Sequence, residues 1–123
     1  MHELTVAIQI RQGLEVELST DDGVLVADAV RVQIGALSGI VPEALLFAWP
    51  HAISESAALG SARLDIDWID VQLHCAVCND IYTVTEFRSL RCPQCRSPDV
   101  EIVAGDELDI ASVDIRARPQ DLA

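Results

Sequence analysis

Residues 75–95 have the sequence CAVCNDIYTVTEFRSLRCPQC, in which two C-x-x-C pairs are separated by residues 79–91. Each pair places two sulfur atoms within reach of one small cation, and the intervening chain is long enough for a hairpin that returns the second pair to the first. Four thiolates form the closed tetrahedral shell that zinc occupies in structural sites. This spacing therefore predicts a zinc ribbon with its metal on Cys75, Cys78, Cys92 and Cys95.

Composition limits the partners of the chain. Its 123 residues carry a formal net charge of −12, and no lysine is present. Such an acidic chain is unsuited to phosphate backbones and to anionic lipid, so neither nucleic acid nor a membrane is expected as a partner. No run approaches the roughly 18 apolar residues of a membrane span, and no signal peptide is recognisable. We therefore expect a soluble cytoplasmic protein of one domain plus a small module.

Other uses of the four cysteines fit the spacing less well. Two disulfides are not expected in the cytoplasm, and a thioredoxin-like redox pair needs a single C-x-x-C at a helix start. Catalytic zinc needs an open position for water, which four cysteines do not leave. Iron in a rubredoxin-like site is left open and would colour the protein red. Because so small a module buries little apolar surface, its metal affinity becomes folding free energy.

Three segments alternate apolar and polar residues in the manner of strands, at 29–35, 62–75 and 106–115. Within residues 62–75 the apolar parity changes near Trp68 and Ile69, which indicates a bulge or a change of packing partner. The cysteines lie between the last two of these strands. The ribbon is therefore predicted to be an insertion between two strands of one sheet.

Two segments have helical character. Pro42 and Glu43 suit the start of a helix, and apolar residues follow at helical spacing. Pro50 is expected to break or kink this helix, and the pattern leaves open whether it continues to Ile53. Residues 4–18 are ambiguous, because their apolar residues alternate like a strand and also recur at i, i+4. Pattern alone slightly favours a strand there.

The amino terminus carries a second candidate metal site. A free terminal amine, the amide nitrogen of His2 and its imidazole can close fused chelate rings, and this nitrogen geometry favours Ni(II) or Cu(II) over zinc. The bulk of His2 is expected to retain Met1, which would supply the amine. Glu3 would supply an amide nitrogen or orient the imidazole. Taken alone, three terminal residues are more often a solvated chain end.

The order of these features resembles the HypA/HybF family of hydrogenase maturation nickel metallochaperones. The resemblance rests on the amino-terminal MHEL, on GALSGIVPEALLFA at residues 35–48, on the two C-x-x-C pairs, and on IVAGDELDIASVDI at residues 102–115. It covers nearly the whole chain in the same order. It implies an α+β fold with two helices on a small, about three-stranded sheet and a zinc ribbon inserted before the last strand. It also implies a helix at residues 4–18, against the alternation.

The resemblance further implies a discontinuous nickel-binding domain at residues 1–73 and 105–123, with a four-cysteine zinc-ribbon domain at residues 74–104. Ni(II) would be cargo, and Zn(II) would be structural on the four cysteines. The implied nickel ligands are Met1, His2 and Glu3.

The implied function is delivery of nickel for [NiFe]-hydrogenase maturation. The implied partners are a nickel-handling GTPase and the hydrogenase large subunit, and a homodimer is left open. The residues themselves offer no catalytic set and no phosphate loop, so an enzyme is not expected. The alternative is a zinc-ribbon interaction adaptor with an inert amino terminus. His51 and His74 are interpreted as ordinary surface residues in preference to extra metal ligands.

Overall fold

A computed structural model describes residues 2–85 and 90–116. Two helices and eight strands are defined in these residues, and they confirm the predicted α+β class. In chain order they are α1 (Glu3–Leu18), β1 (Ser19–Thr20), β2 (Gly23–Val24), β3 (Ala27–Gly35), α2 (Pro42–Ile53), β4 (Arg63–Ile69), β5 (Val71–Cys75), β6 (Asp80–Val84), β7 (Val100–Ala104) and β8 (Leu108–Ile115). Neither described helix is long and apolar enough to cross a membrane.

The strands form a β1-β2 hairpin and two three-stranded sheets, ordered β4-β3-β8 and β6-β5-β7. The described chain divides into two compact units. The first unit comprises residues 2–32, 40–66 and 110–116, and the second comprises residues 33–39, 67–85 and 90–109. The predicted division into a nickel-binding domain at residues 1–73 and 105–123 and a zinc-ribbon domain at residues 74–104 stays a prediction.

Helix α1 confirms the structure that the resemblance implies for residues 4–18 and shows why alternation was misleading there. From Val6 to Leu18 a buried apolar residue recurs at every fourth position, as one helical face requires. Val16, which a strand pattern pairs with Leu14 and Leu18, is 74% exposed. The apolar residues at every fourth position are the buried ones, so this segment is a helix and not a strand. The buried residues are Val6, Ala7, Ile10, Leu14 and Leu18.

Helix α2 packs against α1 in the first unit and continues through Pro50 to Ile53. Pro50 has no N–H for the fourth preceding carbonyl, that of Leu46, yet the helix persists for three more residues. A side chain from α1 supports this end, because Arg11 Nη1 donates to the Ala52 carbonyl at 3.0 Å. The open question of whether the helix passes Pro50 is thus answered.

The predicted single strand at residues 62–75 was wrong. It is two strands, β4 and β5, separated at Asp70 and belonging to different sheets. The change of apolar parity near Trp68 and Ile69 therefore marks a change of packing partner, which was one of the two predicted explanations. Strands β4 and β8 both pair with β3, so the cysteine-bearing segment is indeed inserted between two strands of one sheet.

Two glycines approach each other closely in the second unit. Gly105 has a φ of +112°, and its carbonyl accepts a hydrogen bond from Leu37 N–H at 2.7 Å. A Cβ on Gly35 would overlap the Gly105 carbonyl group, and a Cβ on Gly105 would lie 2.7 Å from Val71 Cα. Backbone thus packs against backbone here, and side chains at these positions are excluded.

Trp49 is the large aromatic side chain of the core in the first unit. It is buried, and its Nε1–H donates to the Ala62 carbonyl at 2.9 Å. Trp49→Phe leaves this carbonyl without its donor, so we expect the free energy of unfolding to fall by about 1–3 kcal/mol. Urea unfolding of the metal-loaded protein measures the change. Trp68→Phe is the control, since Trp68 is 43% exposed and its replacement should cost less than about 0.5 kcal/mol. Equal losses of unfolding free energy in the two variants would contradict a stabilising role for the hydrogen bond from Trp49 to the Ala62 carbonyl.

Candidate metal centres

The four cysteines lie on two turns of the second unit. The first knuckle, residues 75–79, is the turn between β5 and β6, and the second knuckle is residues 92–96. The two turns share one backbone pattern. In each turn, the N–H of the fifth residue donates a hydrogen bond to the carbonyl of the first cysteine. The distance is 2.8 Å from Asn79 to Cys75 and 2.9 Å from Arg96 to Cys92. Asn79 and Arg96 both have positive φ, at 52° and 63°.

The sulfur atoms of the two knuckles meet in one cluster. All four Sγ atoms lie within 4.8 Å of one another. Across the knuckles, Cys75 Sγ lies 3.6 Å from Cys95 Sγ, and Cys78 Sγ lies 3.9 Å from Cys92 Sγ. A tetrahedral zinc with Zn–S bonds of about 2.3 Å separates its sulfurs by about 3.8 Å. The donor set and its spacing therefore fit a metal ion and are consistent with structural zinc.

Backbone N–H groups point at the first sulfur of each knuckle. Cys78 N–H donates to Cys75 Sγ at 3.4 Å, and Gln94 and Cys95 N–H each donate to Cys92 Sγ at 3.4 Å. Burial raises the pKa of Cys92, but the N–H groups of Cys95 and Gln94 outweigh it and lower that pKa to about 7. Cys92 is therefore prepared to act as a thiolate at neutral pH.

The Cys78 thiol and the Tyr82 hydroxyl resist ionisation without a cation. The hydrogen bond with Cys95, followed by burial, raises the pKa of Cys78 to about 12. The hydrogen bond with Cys78, followed by burial, raises the pKa of Tyr82 to about 12. A divalent cation reverses this balance, because its charge favours coordinating thiolates over thiols. Metal binding at this cluster must therefore release protons.

The amino terminus forms the start of α1 in the first unit. His2 is exposed and non-helical, with φ −78° and ψ 117°, and its carbonyl accepts the Val6 N–H at 3.1 Å. Glu3 is the first helical residue, and its Oε2 is buried with no partner among the described residues. Met1, the third predicted nickel ligand, lies outside the described residues. His2 is thus exposed directly before a helix whose first residue, Glu3, has a carboxylate oxygen with no partner among the described residues.

The other two histidines lie in different units of the described chain. His51 is exposed on α2, where its ring lies 5.6 Å from that of Phe47. His74 is half-buried, and its Nε2 lies 3.3 Å from Asn79 Oδ1. The group of metal-binding side chains found in the described chain contains neither histidine. His74 thus contacts the last residue of the first knuckle, Asn79, a contact that residue spacing does not predict.

Sequence reasoning also missed Asn79 and Arg96, which adopt the left-handed conformation that closes each knuckle. Their signal is positional, since each is the first residue after a C-x-x-C pair. Asparagine is a common choice for positive φ, whereas arginine is not, so only Asn79 was recognisable by residue type.

Together these features define a small α+β protein with an inserted four-cysteine metal-binding ribbon. The family model described as "Hydrogenase/urease nickel incorporation, metallochaperone, hypA" matches residues 1–115. The hydrogenase maturation factor HypA of Roseiflexus sp. is 35% identical over 93% of this chain and 91% of its own length. That of Chloroflexus aurantiacus is 37% identical over 93% of this chain and 98% of its own.

A solved structure agrees with these relatives. The solution structure of the Ni metallochaperone HypA from Helicobacter pylori has a TM-score of 0.61 and 25% identity, covering 96% of this chain and all of the other. The chain belongs to the HypA family of nickel-incorporation metallochaperones. The expectation that it is not an enzyme is confirmed by this membership.

Proposed function

We propose that this protein binds Ni(II) through Met1, His2 and Glu3 and delivers it for [NiFe]-hydrogenase maturation. The observation that carries the proposal is the family match, which begins at residue 1 and thus includes the Met-His-Glu terminus. The exposed imidazole of His2 at the start of α1 supports it. We further propose that Zn(II) occupies Cys75, Cys78, Cys92 and Cys95 as a structural ion.

The proposed sites suit different tasks. Four cysteines close the coordination shell, so the zinc site holds its ion and offers no position for exchange with substrate. The terminal site lies ahead of Val6, the first buried residue of α1, and a chain end can open without unfolding a core. Cargo at the terminus can therefore leave while the ribbon keeps its own ion.

The proposed partners follow from the same role. We propose that a nickel-handling GTPase exchanges nickel with this protein and that a [NiFe]-hydrogenase large subunit receives it, both in the cytoplasm. The relatives from Roseiflexus and Chloroflexus carry the name hydrogenase maturation factor, which supports this recipient. A homodimer is an additional hypothesis that sedimentation of the metal-loaded protein can test.

The nickel proposal is tested by changing the terminus alone. We expect three glycines added before Met1, or His2→Ala, to weaken Ni(II) binding by more than the roughly 10–100-fold that loss of an outer-shell partner costs. The extension moves the terminal amine away from the imidazole, and His2→Ala removes the imidazole itself. Equilibrium dialysis of untagged protein, with nickel and zinc counted separately, measures the effect. His51→Ala is the control for removal of an exposed histidine, and it should keep full nickel affinity.

Both terminal variants should retain their zinc, because the cysteine cluster is unchanged. Undiminished nickel affinity in the extended chain would contradict the proposal. A single zinc with no nickel binding in the unmodified protein would instead support a zinc-ribbon interaction adaptor.

A further inference from the structure

Helix α2 carries apolar residues on the side that faces away from the core. We define the α2 outer face as Leu46, Phe47, Pro50 and His51, which share one side because they recur at i, i+4. All four are exposed, and Phe47 is 75% exposed. The opposite side of the helix is buried in the first unit. Its buried residues are Leu45, Ala48, Trp49, Ala52 and Ile53.

The fold itself does not account for this face. A helix that is apolar on both sides is normally covered, and contiguous exposed apolar residues mark interaction surfaces. The ring of Phe47 lies tilted against that of His51, with centroids 5.6 Å apart, so it stands on the surface beside another surface ring. Pro50 cannot donate to the Leu46 carbonyl, which leaves a backbone acceptor on the same face without its regular helical partner.

The charges around the face indicate what covers it. Glu43 and Glu55 flank it along the chain, and both are exposed. Within residues 2–85 and 90–116 we find no ion pair to either carboxylate. Three arginines of the first unit form ion pairs with other carboxylates. The pairs are Arg11 with Glu15, Arg63 with Asp65 and Arg116 with Asp28.

A second copy of the chain is a poor occupant for this face. Each copy carries a net charge of −12 and no lysine, so self-association would bring like charges together around the apolar centre. A partner with cationic side chains beside apolar ones matches both the centre and the rim of the face.

We propose that the α2 outer face is a docking site for an amphipathic, basic segment of another protein. An apolar side chain of that segment packs on Phe47, Leu46 and Pro50. Its lysine or arginine side chains lie against Glu43 and Glu55, and one can donate to the Leu46 carbonyl. This surface is separate in role from the proposed nickel ligands, and it does not depend on nickel binding.

The test uses the full-length, zinc-loaded protein and a fluorescent helical peptide with leucine and tryptophan on one face and lysine on the other. We expect Phe47→Ala to weaken peptide binding about tenfold or more, because exposed aromatic anchors dominate such interfaces. Val16→Ala is the matched control, since Val16 is equally exposed on α1 and its loss should change the affinity less than about twofold. Neither variant removes a buried side chain, so urea unfolding should confirm that both remain folded.

The electrostatic part is tested separately. Glu43→Gln combined with Glu55→Gln should weaken binding about threefold and flatten its salt dependence, while a peptide with glutamate in place of lysine should not bind. Equal affinities for Phe47→Ala and the unmodified protein, or no binding of the basic peptide, would overturn the proposal. A dimer that dissociates on Phe47→Ala substitution would overturn the choice of occupant in favour of a second copy.

Discussion

Cys92→Ser is expected to abolish stoichiometric zinc binding and to unfold the ribbon. Cys92 is buried at 1% exposure, and its Sγ accepts two backbone N–H groups at 3.4 Å. A serine hydroxyl is not ionised at neutral pH and is a poor zinc ligand, so three thiolates would be left without their fourth partner. The loss should be large because structural zinc contributes apparent binding free energies of about 10–16 kcal/mol, and this energy is also folding energy.

The apolar core available to the ribbon is small, which is why the metal matters so much there. Along β5, β6 and β7 the fully buried apolar side chains are Val71 and Leu73, and the other fully buried residue is the ligand Cys75. Large apolar residues such as Ile81 and Ile102 remain exposed. Burial of two aliphatic side chains is worth only about 3–6 kcal/mol, too little to fix three strands without the ion.

Metal analysis and amide hydrogen exchange measure the outcome. Zinc per chain should fall to near zero, and protection of β5 amides should fall at least about a hundredfold, because exchange reports local opening. Gln94→Ser is the matched control, since Gln94 is exposed in the same knuckle and contributes its backbone N–H. The Gln94→Ser variant should keep its zinc. Full zinc occupancy in Cys92→Ser would refute the four-cysteine site, and iron in the unmodified protein would identify a different resident metal.

Gly105→Ala is expected to destabilise the protein by about 3 kcal/mol or more. The substitution forces a side chain into a φ of +112° and places its Cβ 2.7 Å from Val71 Cα and 3.1 Å from Val71 N. Both obstacles are backbone atoms, which cannot rotate away as a side chain could. Strain at a special backbone position and overpacking in the core each cost about 1–3 kcal/mol, and here they act together.

Gly13→Ala supplies a control of opposite sign. Gly13 lies in α1, and a Cβ built there meets nothing within 4 Å. Alanine is favoured over glycine in a helix by about 0.5–1 kcal/mol, so this variant should be more stable than the parent. Urea unfolding of zinc-loaded samples compares the two variants under identical conditions. Destabilisation of the same size in both would show that glycine content, and not the approach of Gly105 to Val71, sets the effect.

Local spacing predicted that the four cysteines would come together, because each C-x-x-C pair is formed by a short local turn. Two cysteines three residues apart need one tight turn, and both turns formed with the same hydrogen bonds. The helix at residues 3–18 was harder to predict, since its apolar residues fit two periods and packing decided between them. The buried residues Val6, Ile10, Leu14 and Leu18 are four positions apart and lie on one face of the helix. Their burial shows that the helical period, and not the strand period of two, applies here.

Features that depend on distant parts of the chain could not be predicted. Gly35 and Gly105 are far apart in sequence, and neither residue type nor spacing predicts that they lie close together. The change of apolar parity near Trp68 indicated a bulge or a change of packing partner, but only the two sheets show that β4 and β5 are separate strands. The exposure of Phe47 was equally hidden, because apolar residues on a helix are expected to be buried.

The two knuckles are alike in hydrogen bonding but differ in backbone conformation and exposure, so we expect an ion bound at the proposed zinc site to exchange from one side. Arg96 holds a left-handed conformation that arginine tolerates less readily than Asn79 does. The second knuckle also carries Cys95, the exposed ligand of the four, whereas Cys75 of the first is buried. A competing thiol or chelator therefore meets the cluster first at Cys95. We therefore expect the first knuckle, built into the β5–β6 hairpin, to hold a bound ion longest.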